Sequence, residues 1–427
     1  MKRLVVVIAL GCSACFAPSP RAPSAGPAAP GFLLEGEAFC FAGANSYYPM
    51  YESRVMVDDL FDAARALDLK VMRVWGMLDR GSLDGGVANA DGVGHKRGVY
   101  FQYWDAEHGR PAYNDGPDGL ERLDYVLAAA AERQLKLIVV LTNNWRAFGG
   151  IDQYLIWYGR SKHHEFYTLP ETRQAYRGWL EHVITRKNRL TGRDYRDDPT
   201  IFGWELANEP RCKNGSSFDT DSGWDTSTLT TWAAEMSGYV KSLDPNHLVA
   251  VGDEGFLNQG GDHFTRRAEG GVDHAALTAL PHVDFGTFHL YPDHWQVPDS
   301  FGAPWITEHL ELAARLGKPS VLEEYGRELT RGFAPRADAY MKWQRALIDA
   351  SGSASLAWML AGADERGQRY PDYDHFAFYR DDATGKLIGG FAREQQRACQ
   401  RRAAVDAPPS PFVTTTRSRP GAGLGWR

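Results

Sequence analysis

Apolar runs and amphipathic stretches alternate along most of the chain, which is the pattern of strands followed by helices. The clearest strand is Leu137-Ile138-Val139-Val140-Leu141, whose consecutive apolar residues require cover on both faces. Such a strand belongs in a parallel sheet flanked by helices. The pattern predicts eight strands, at 39–45, 69–76, 136–143, 201–207, 247–252, 283–289, 320–324 and 355–360.

The segments between these strands carry apolar residues at helical spacing. The predicted helices lie at 55–67, 119–133, 171–190, 227–243, 306–316 and 336–351, with a poorly marked one at 274–280. Alternating strands and helices predict an α/β fold, a (β/α)8 TIM barrel formed by a single domain. A doubly wound open sheet is disfavoured because no glycine-rich phosphate loop follows the first strand. The long polar loop at 78–118 is expected to form the wall of a cleft.

Both ends of the chain fall outside this pattern. Lys2 and Arg3 precede a short apolar run, and Ala9-Leu10-Gly11-Cys12 resembles a bacterial lipoprotein cleavage site with Cys12 as the lipidated residue. An ordinary secretory signal is the alternative, because such sites usually carry Leu where Ala9 stands. We expect a signal segment at 1–17, a Pro/Ala-rich linker at 18–34, the folded domain at 35–400 and a disordered tail at 401–427. The protein is then exported, as an outer-membrane or cell-surface lipoprotein or else in secreted form.

Composition and charge narrow the range of partners. The net charge is −7 and no long Lys/Arg run occurs, which argues against nucleic acid and against an anionic membrane surface. Membrane association would therefore run only through the lipid. Aromatic residues make up 12% of the chain, which suits sugar rings but also a large core. We expect no cofactor and a monomer.

The cysteines fit no metal-binding spacing, so we expect no metal site. Export permits disulfides, yet the sequence cannot pair Cys15, Cys40, Cys212 and Cys399. A free buried thiol is equally open for Cys40 and Cys399. Cys212 is expected to have a structural role.

Two glutamates stand at predicted strand ends. Glu209 closes Trp204-Glu205-Leu206-Ala207-Asn208-Glu209-Pro210-Arg211, and Glu324 lies in Leu322-Glu323-Glu324-Tyr325-Gly326. Pro210 predicts extended backbone at Glu209 and the end of the strand. Catalytic groups of barrel enzymes lie at the C-terminal ends of the strands. Two carboxylates in such places are the minimum set for cleaving a glycosidic bond.

These two blocks resemble the catalytic blocks of glycoside hydrolase family 5, and more narrowly its plant- and fungal-type endo-β-1,4-mannanases. The resemblance covers about residues 36 to 380. Five further blocks carry it, in this order: Val71-Met72-Arg73-Val74-Trp75, Leu141-Thr142-Asn143-Asn144-Trp145 with Gly149-Gly150, Asp197 to Phe202, Gly286 to Trp295, and Tyr370-Pro371-Asp372-Tyr373-Asp374.

The resemblance implies a retaining mechanism with Glu209 as acid/base and Glu324 as nucleophile. The acid requires a raised pKa, from burial or nearby negative charge, and the nucleophile requires cations and donors around it. The family positions for this support are Arg73, Asn208, His289 and Tyr291, with Asn208 expected to hold the sugar 2-hydroxyl. Strand alternation is expected to point Glu323 away from Glu324.

The same resemblance implies the groups that bind sugar. Trp358 matches the platform beneath the cleaved sugar, and Asn144, Trp145, Arg211 and Trp295 are the other expected substrate contacts. The sequence departs from many relatives within predicted strand eight, where Met359 follows Trp358 and relatives often have Gln. Core packing remains an alternative for the tryptophans, and Glu205 is expected to be a buried structural carboxylate.

The resemblance thus predicts an enzyme that cuts internal bonds of mannan, glucomannan or galactomannan. A β-1,4-glucanase or an exo-β-mannosidase of the same family is the enzymatic alternative. A barrel that binds surface glycans without catalysis is the alternative of another class. Loops set substrate length and side-chain tolerance, so these stay open.

Overall fold

A computed structural model describes residues 31–91, 98–213 and 223–406, with side chains to residue 402. The predicted signal segment with Cys12, nearly all of the linker, and the end of the tail lie outside the described residues. Within them, no helix is both long and apolar enough to cross a membrane.

Eight parallel strands form one sheet that curls into a nearly closed barrel. The strands are β1 (Phe41–Ser46), β2 (Val71–Trp75), β3 (Lys136–Val140), β4 (Ile201–Glu205), β5 (Leu248–Ala250), β6 (Gly286–Leu290), β7 (Ser320–Tyr325) and β8 (Ala354–Ala357). Each pairs with its neighbours in chain order except β5 and β6, and β8 pairs with β1. The predicted barrel is confirmed, with a strand in each predicted range.

Asp284 bridges the seam between β5 and β6, where no ladder forms. Its backbone N–H donates to the Val249 carbonyl at 2.8 Å, and its carboxylate accepts from the Val249 N–H at 2.7 Å. The side chain therefore supplies a bond that a regular strand pair would take from the backbone.

Helices cover the outside of the barrel. They are α1 (Arg54–Ala66), α2 (Glu121–Glu132), α3 (Gly150–Trp157), α4 (Glu165–Thr168), α5 (Pro170–Ile184), α6 (Thr226–Leu243), α7 (His274–Thr278), α8 (Pro292–Trp295), α9 (Gly302–Leu316), α10 (Phe333–Asp349) and α11 (Ala383–Asp406). Local signals fix several ends. For example, the Ser53 hydroxyl accepts from the Met56 N–H at the start of α1, and Gly317 ends α9 with φ 69°.

The inside of the barrel is apolar at one end and polar at the other. At the N-terminal ends of the strands, a cluster of buried apolar residues includes Phe41, Phe202 and Phe285, closed from below by Phe32. At the C-terminal ends, buried polar side chains replace them. Burial without water strengthens the interactions among those polar groups, so this end can hold a catalytic site.

The ends of the domain differ from the predicted boundaries. A hairpin of strands Phe32–Leu34 and Glu37–Phe39 begins inside the stretch assigned to the linker. Helix α11 continues to Asp406, inside the stretch assigned to the disordered tail. The helix packs against β1 and α10, and these contacts compensate for its polar sequence.

The loop after β2 has structure of its own. Its described part contains a three-stranded sheet of Asp79–Ser82, Gln102–Asp105 and Arg110–Tyr113. Gln102 anchors the sheet by donating to the buried carboxylate of Asp79 at 2.7 Å.

A disulfide joins Cys40, just before β1, to Cys399 in α11, with their Cα atoms 6.0 Å apart. The structure thus resolves the pairing that the sequence left open. Cys212 is a free, buried thiol, and burial raises its pKa to about 12. A thiol with that pKa carries almost no thiolate at neutral pH, which agrees with a structural role.

Candidate active site

The polar end of the barrel brings together six predicted site residues, which are Arg73, Asn208, Glu209, His289, Tyr291 and Glu324. Arg73, on β2, is completely buried and donates from each of its five N–H groups. Nε and Nη2 bind the two oxygens of Glu205 at 2.7 and 2.5 Å, and Nη2 also binds Asn208 Oδ1 at 2.8 Å. Nη1 binds Asn45 and an oxygen of Glu324. The predicted buried structural role of Glu205 fits this bidentate pair.

Glu324, the predicted nucleophile, accepts a hydrogen bond at each of its two oxygens. Its Oε1 accepts from Arg73, and its Oε2 accepts from the Tyr291 hydroxyl at 2.7 Å. Burial raises the pKa of the Glu324 carboxyl, while His289, Arg73 and Tyr291 act against that increase. The anion is thus solvated by protein donors in place of water.

Glu209 lies opposite, at the mouth of β4. Its Oε2 accepts from the Trp145 indole at 2.5 Å, and its Oε1 lies 2.8 Å from His289 Nδ1. One oxygen of Glu209 and one of Glu324 lie within 4.8 Å of each other. Retaining glycosidases hold their carboxyl groups about 5–5.5 Å apart and inverting ones about 6.5–9.5 Å, so this spacing fits retention.

The backbone at Glu209 is not extended, and that prediction is wrong. Its φ is 51°, in the left-handed region that a residue with a side chain enters at a cost of about 1–3 kcal/mol. The Glu209 N–H donates to the Gly252 carbonyl at 2.9 Å, and both carboxylate oxygens are held as described. These contacts override the local preference set by Pro210.

The pKa values of the two carboxyls stand in the reverse of the expected order. For Glu209, burial raises the pKa, but the hydrogen bond and charge of His289 outweigh it, and the pKa falls to about 2. Burial lowers the pKa of His289, yet the surrounding carboxylates, Glu324 first, raise it well above its usual value. These opposite shifts favour a proton on His289, whose Nδ1 lies 2.8 Å from Glu209 Oε1.

Glu323 does not point away from Glu324, which contradicts the alternation argument. The register of β7 shifts against both β6 and β8, so consecutive residues no longer face opposite sides. Glu323 is completely buried in the barrel, 3.6 Å from His289 Nε2 and 3.7 Å from Arg73 Nε.

An open cleft of about 480 Å³ lies above this network. Predicted residues at its surface include Trp145, Asn208, Arg211, Trp295 and Trp358 beside the two glutamates. Trp358 is held by a 2.8 Å bond from its indole to Asp374, which fixes the orientation of the ring. Trp295 is 6% exposed and packs on Trp305 and Phe256, so it presents only an edge to the cleft.

Asn144 lies behind the cleft and does not line it. Its Oδ1 accepts from the Arg211 N–H at 3.0 Å and lies 2.9 Å from His163 Nε2, and His163 Nδ1 lies 2.8 Å from Asp152. This buried chain positions the backbone that carries Arg211. Direct sugar contact by Asn144 stays a prediction without support from its placement.

Glu254, after β5, is a cleft residue that the sequence reasoning missed. It pairs with Arg211, whose guanidinium lies 5.3 Å from the centre of the Trp145 ring. Burial raises the pKa of Glu254 to about 8, although Arg211 opposes that change. Its place at the end of a predicted strand was the available signal. The cleft is also lined by four residues that were not predicted as site residues: Phe264, His294, Asp374 and Phe376.

The same centre could in principle attract a cation, because ligand atoms of Glu209, His289 and Glu324 lie within 4.8 Å of one another. These atoms are already engaged with each other or with Trp145, Arg73 and Tyr291. Each carboxylate thus already has hydrogen-bond partners at both of its oxygens without a metal ion. The expectation of no metal stays a prediction.

A (β/α)8 barrel with two carboxylates at this separation beneath an aromatic cleft is a glycoside hydrolase. The sequence profile described as GH family 5 beta-mannosidase-like matches residues 28–344. The chain belongs to glycoside hydrolase family 5.

Individual relatives agree with this assignment. The probable mannan endo-1,4-beta-mannosidase F of Aspergillus oryzae is 37% identical over 355 residues, covering 82% of this chain and 69% of that protein. The mannan endo-1,4-beta-mannosidase A of Podospora anserina is 35% identical over 345 residues, covering 80% and 83%. The solved endo-1,4-beta-mannanase of Rhizomucor miehei superimposes with a TM-score of 0.78 at 36% identity, covering 86% and 98%.

Proposed function

We propose that the protein is a retaining endo-β-1,4-mannanase that hydrolyses internal β-1,4-mannosidic bonds of mannan, glucomannan or galactomannan. The observation that carries the proposal is the pair Glu209 and Glu324, whose nearest oxygens lie within 4.8 Å at the base of an open cleft. The relatives named mannan endo-1,4-beta-mannosidase support the substrate class.

In the first step, a Glu324 oxygen attacks the anomeric carbon as the bond to the leaving sugar breaks. Glu209 donates a proton to the leaving oxygen, and a glycosyl ester on Glu324 results. Arg73 and Tyr291 hold the attacking carboxylate in place through its two oxygens. Holding the nucleophile in this way lowers the entropic part of the barrier.

In the second step, Glu209 acts as a base. It takes a proton from water, the water oxygen attacks the anomeric carbon, and Glu324 leaves as a carboxylate. Two inversions give net retention. The low pKa of Glu209 in the free site makes it a weak base for this step. Formation of the ester removes the negative charge of Glu324, which tends to lower the pKa of Glu209 further, but it also removes the charge that most raises the pKa of His289, and so weakens the hold of His289 on its proton.

Sugar recognition is assigned to Asn208 and Trp358. Asn208 is held by Arg73 at Oδ1 and donates from Nδ2 to Asn143 at 3.0 Å, so its amide has a fixed orientation at the cleft surface. Mannose has an axial 2-hydroxyl. A fixed amide that bonds this group leaves buried polar atoms unpaired with glucose, which costs a few kcal/mol, or about a hundredfold in rate.

The test compares kcat/KM on mannohexaose and cellohexaose, with product profiles on mannan, glucomannan, cellulose and xylan. We expect at least about a hundredfold preference for the mannan oligosaccharide and a series of short products. Equal rates would favour a β-1,4-glucanase, and release of mannose alone from chain ends would favour an exo-β-mannosidase.

A companion variant tests catalysis itself. Glu324→Gln should remove nearly all hydrolysis while leaving glycan binding intact, and NMR of the first wild-type product should show the β-anomer. An initial α-anomer would mean inversion. Wild-type protein that binds mannan without cleaving it would favour the non-catalytic barrel.

We also infer that the protein is exported and anchored through Cys12, as a monomeric catalytic domain on a flexible stalk. The Cys40–Cys399 disulfide supports an oxidising compartment. Cys12→Ala should release the protein or leave its precursor uncleaved. Wild-type protein found wholly in the medium would instead support an ordinary secretory signal.

A further inference from the structure

A second buried carboxylate stands directly behind His289. Because of the register shift in β7, Glu323 enters the barrel, and its Oε2 lies 3.6 Å from His289 Nε2. Neither oxygen of Glu323 has a hydrogen bond of good geometry, and neither does Nε2 of His289. Glu323 also approaches Glu205 closely enough to add to the effect of burial in raising the pKa of Glu205, but both oxygens of Glu205 already accept hydrogen bonds from Arg73. Both residues are completely buried.

The nearby arginine does not satisfy Glu323. Arg73 Nε is 3.7 Å away, and all five N–H groups of Arg73 are used by Asn45, Glu205, Asn208 and Glu324. A buried carboxylate without a hydrogen-bond donor is costly. The N–H that His289 can offer at Nε2 is the donor that faces it.

The three side chains form a line across the barrel. His289 Nδ1 lies 2.8 Å from Glu209 Oε1 on one side of the ring, and Nε2 faces Glu323 on the other. Which nitrogen of a histidine carries a proton is set by what the other nitrogen contacts. A carboxylate on each side favours protons on both.

We propose that Glu323 is a positioning residue that keeps His289 protonated at both nitrogens, so that Nδ1 supplies Glu209 with the proton for the acid step. This inference rests on the proposed function. The proton moves from Nδ1 to Glu209 Oε1, leaving a neutral imidazole whose Nε2–H still faces Glu323. Glu209 passes a proton to the leaving oxygen. In the second step Glu209 takes a proton from water and returns one to Nδ1, so none is consumed.

Other charges also face the imidazole. Glu209, Glu254 and Glu324 lie around it, and Arg73 and Glu205 lie beyond Glu323. Glu209 and Glu324 remain in place when Glu323 is changed. The difference in the pKa of His289 between wild type and Glu323→Gln therefore measures the effect of the Glu323 charge, because the other charged groups are the same in both proteins.

The first test is the pH dependence of kcat/KM on mannohexaose for Glu323→Gln. An opposite charge within about 4–6 Å raises the pKa of a cation by about one to three units, so its removal should move the alkaline limb to lower pH by a similar amount. His289 then loses its proton at a lower pH, and activity above the new limb should fall about tenfold for each pH unit. A merely structural role would lower activity by a constant factor and leave the limb in place.

A substrate with a better leaving group separates the acid step from the nucleophile. The dinitrophenolate of a dinitrophenyl mannobioside leaves without being protonated. The kcat/KM for this substrate should therefore hardly change in Glu323→Gln. An equal loss on both substrates would overturn the proposal, because the defect would then lie in Glu324 or in the fold.

The second test reads the proton directly. In ¹⁵N-histidine-labelled protein, the two signals that disappear in His289→Gln should be those of a doubly protonated ring at neutral pH. In Glu323→Gln they should titrate at lower pH. Glu323→Asp, which keeps the charge, should keep the wild-type titration to within about half a unit. If Glu323→Gln fails to fold, the wild-type signals decide, because a singly protonated His289 ring at neutral pH would itself overturn the proposal.

Asp244→Asn is the matched control, because Asp244 is a buried carboxylate 2.6 Å from His247, outside the site. It should reduce stability without moving the limb. Unchanged His289 signals in Glu323→Gln would overturn the inference. If wild type fails to cleave mannan, the proposed function fails, while the ¹⁵N titration still decides the role of Glu323.

Discussion

The hydroxyl of Tyr291 offers the sharpest test of how the nucleophile is prepared. Tyr291 is buried, and its hydroxyl donates to Glu324 Oε2 at 2.7 Å. Tyr291→Phe removes this single bond and leaves the ring, the fold and the Arg73 contact in place. The perturbation is therefore confined to the ionised form of one carboxyl.

The expected size follows from the strength of such a bond. A hydrogen bond to a charged group contributes about 1.5–3 kcal/mol, and one pKa unit corresponds to 1.36 kcal/mol. Because the Tyr291 hydrogen bond acts to lower the pKa of Glu324, its loss should raise that pKa by about one to two units. The nucleophile must be ionised, so activity is lost as pH falls through this pKa. A higher pKa moves the acidic limb of kcat/KM to higher pH.

The assay is kcat/KM on mannohexaose across the acidic limb, with thermal unfolding measured in parallel. Tyr195→Phe is the matched control, because the Tyr195 hydroxyl donates to the buried carboxylate of Asp124 at the same 2.7 Å, outside the site. The control should lose stability without moving the limb. An acidic limb that stays in place in Tyr291→Phe would refute the assignment of Glu324 as a nucleophile held by Tyr291.

Three further predictions concern the cleft, the ends of the domain and metals. Arg211→Ala should weaken kcat/KM on short oligosaccharides more than on polymer, because polymer keeps its other contacts; equal losses would remove Arg211 from substrate binding. Replacing Cys40 and Cys399 by Ser should lower the unfolding free energy by up to about 6 kcal/mol from loop entropy, with kcat/KM intact; an unchanged melting temperature would contradict this. Dialysis against a chelator should leave the rate unchanged, and a loss that calcium restores would reveal a structural ion.

The barrel was predictable because its strands are buried on both faces. A run of apolar residues such as Leu137 to Leu141 must be covered on both faces, which restricts it to a buried strand. The apolar pattern alone therefore located all eight strands. Helix α11 escaped prediction because its sequence is largely polar and it gains stability from packing on β1 and α10. The small sheet after β2 escaped because strands of four residues carry too little pattern.

The candidate site divides in the same way. Position along the chain put Glu209 and Glu324 at strand ends, the family resemblance added Arg73 and His289, and the fold brings the four together. The predictions that failed concern local irregularities of the backbone, which depend on contacts with residues distant in sequence. The left-handed backbone of Glu209 and the inward turn of Glu323 both arise where tertiary contacts override local preference.

The order of the pKa values of Glu209 and Glu324 shows why protonation in this site cannot be assigned to one residue at a time. Four carboxyls, Glu205, Glu209, Glu323 and Glu324, surround two basic groups, Arg73 and His289. Arg73 cannot neutralise them all, so the cluster must retain protons, and which residue carries one depends on the charge of the others. Burial strongly raises the pKa of Glu205 despite its bond to Arg73, so this deeper carboxyl also favours retaining a proton. Each limb of the pH profile therefore belongs to the coupled group, and a variant identifies a residue's share only by how far it moves that limb.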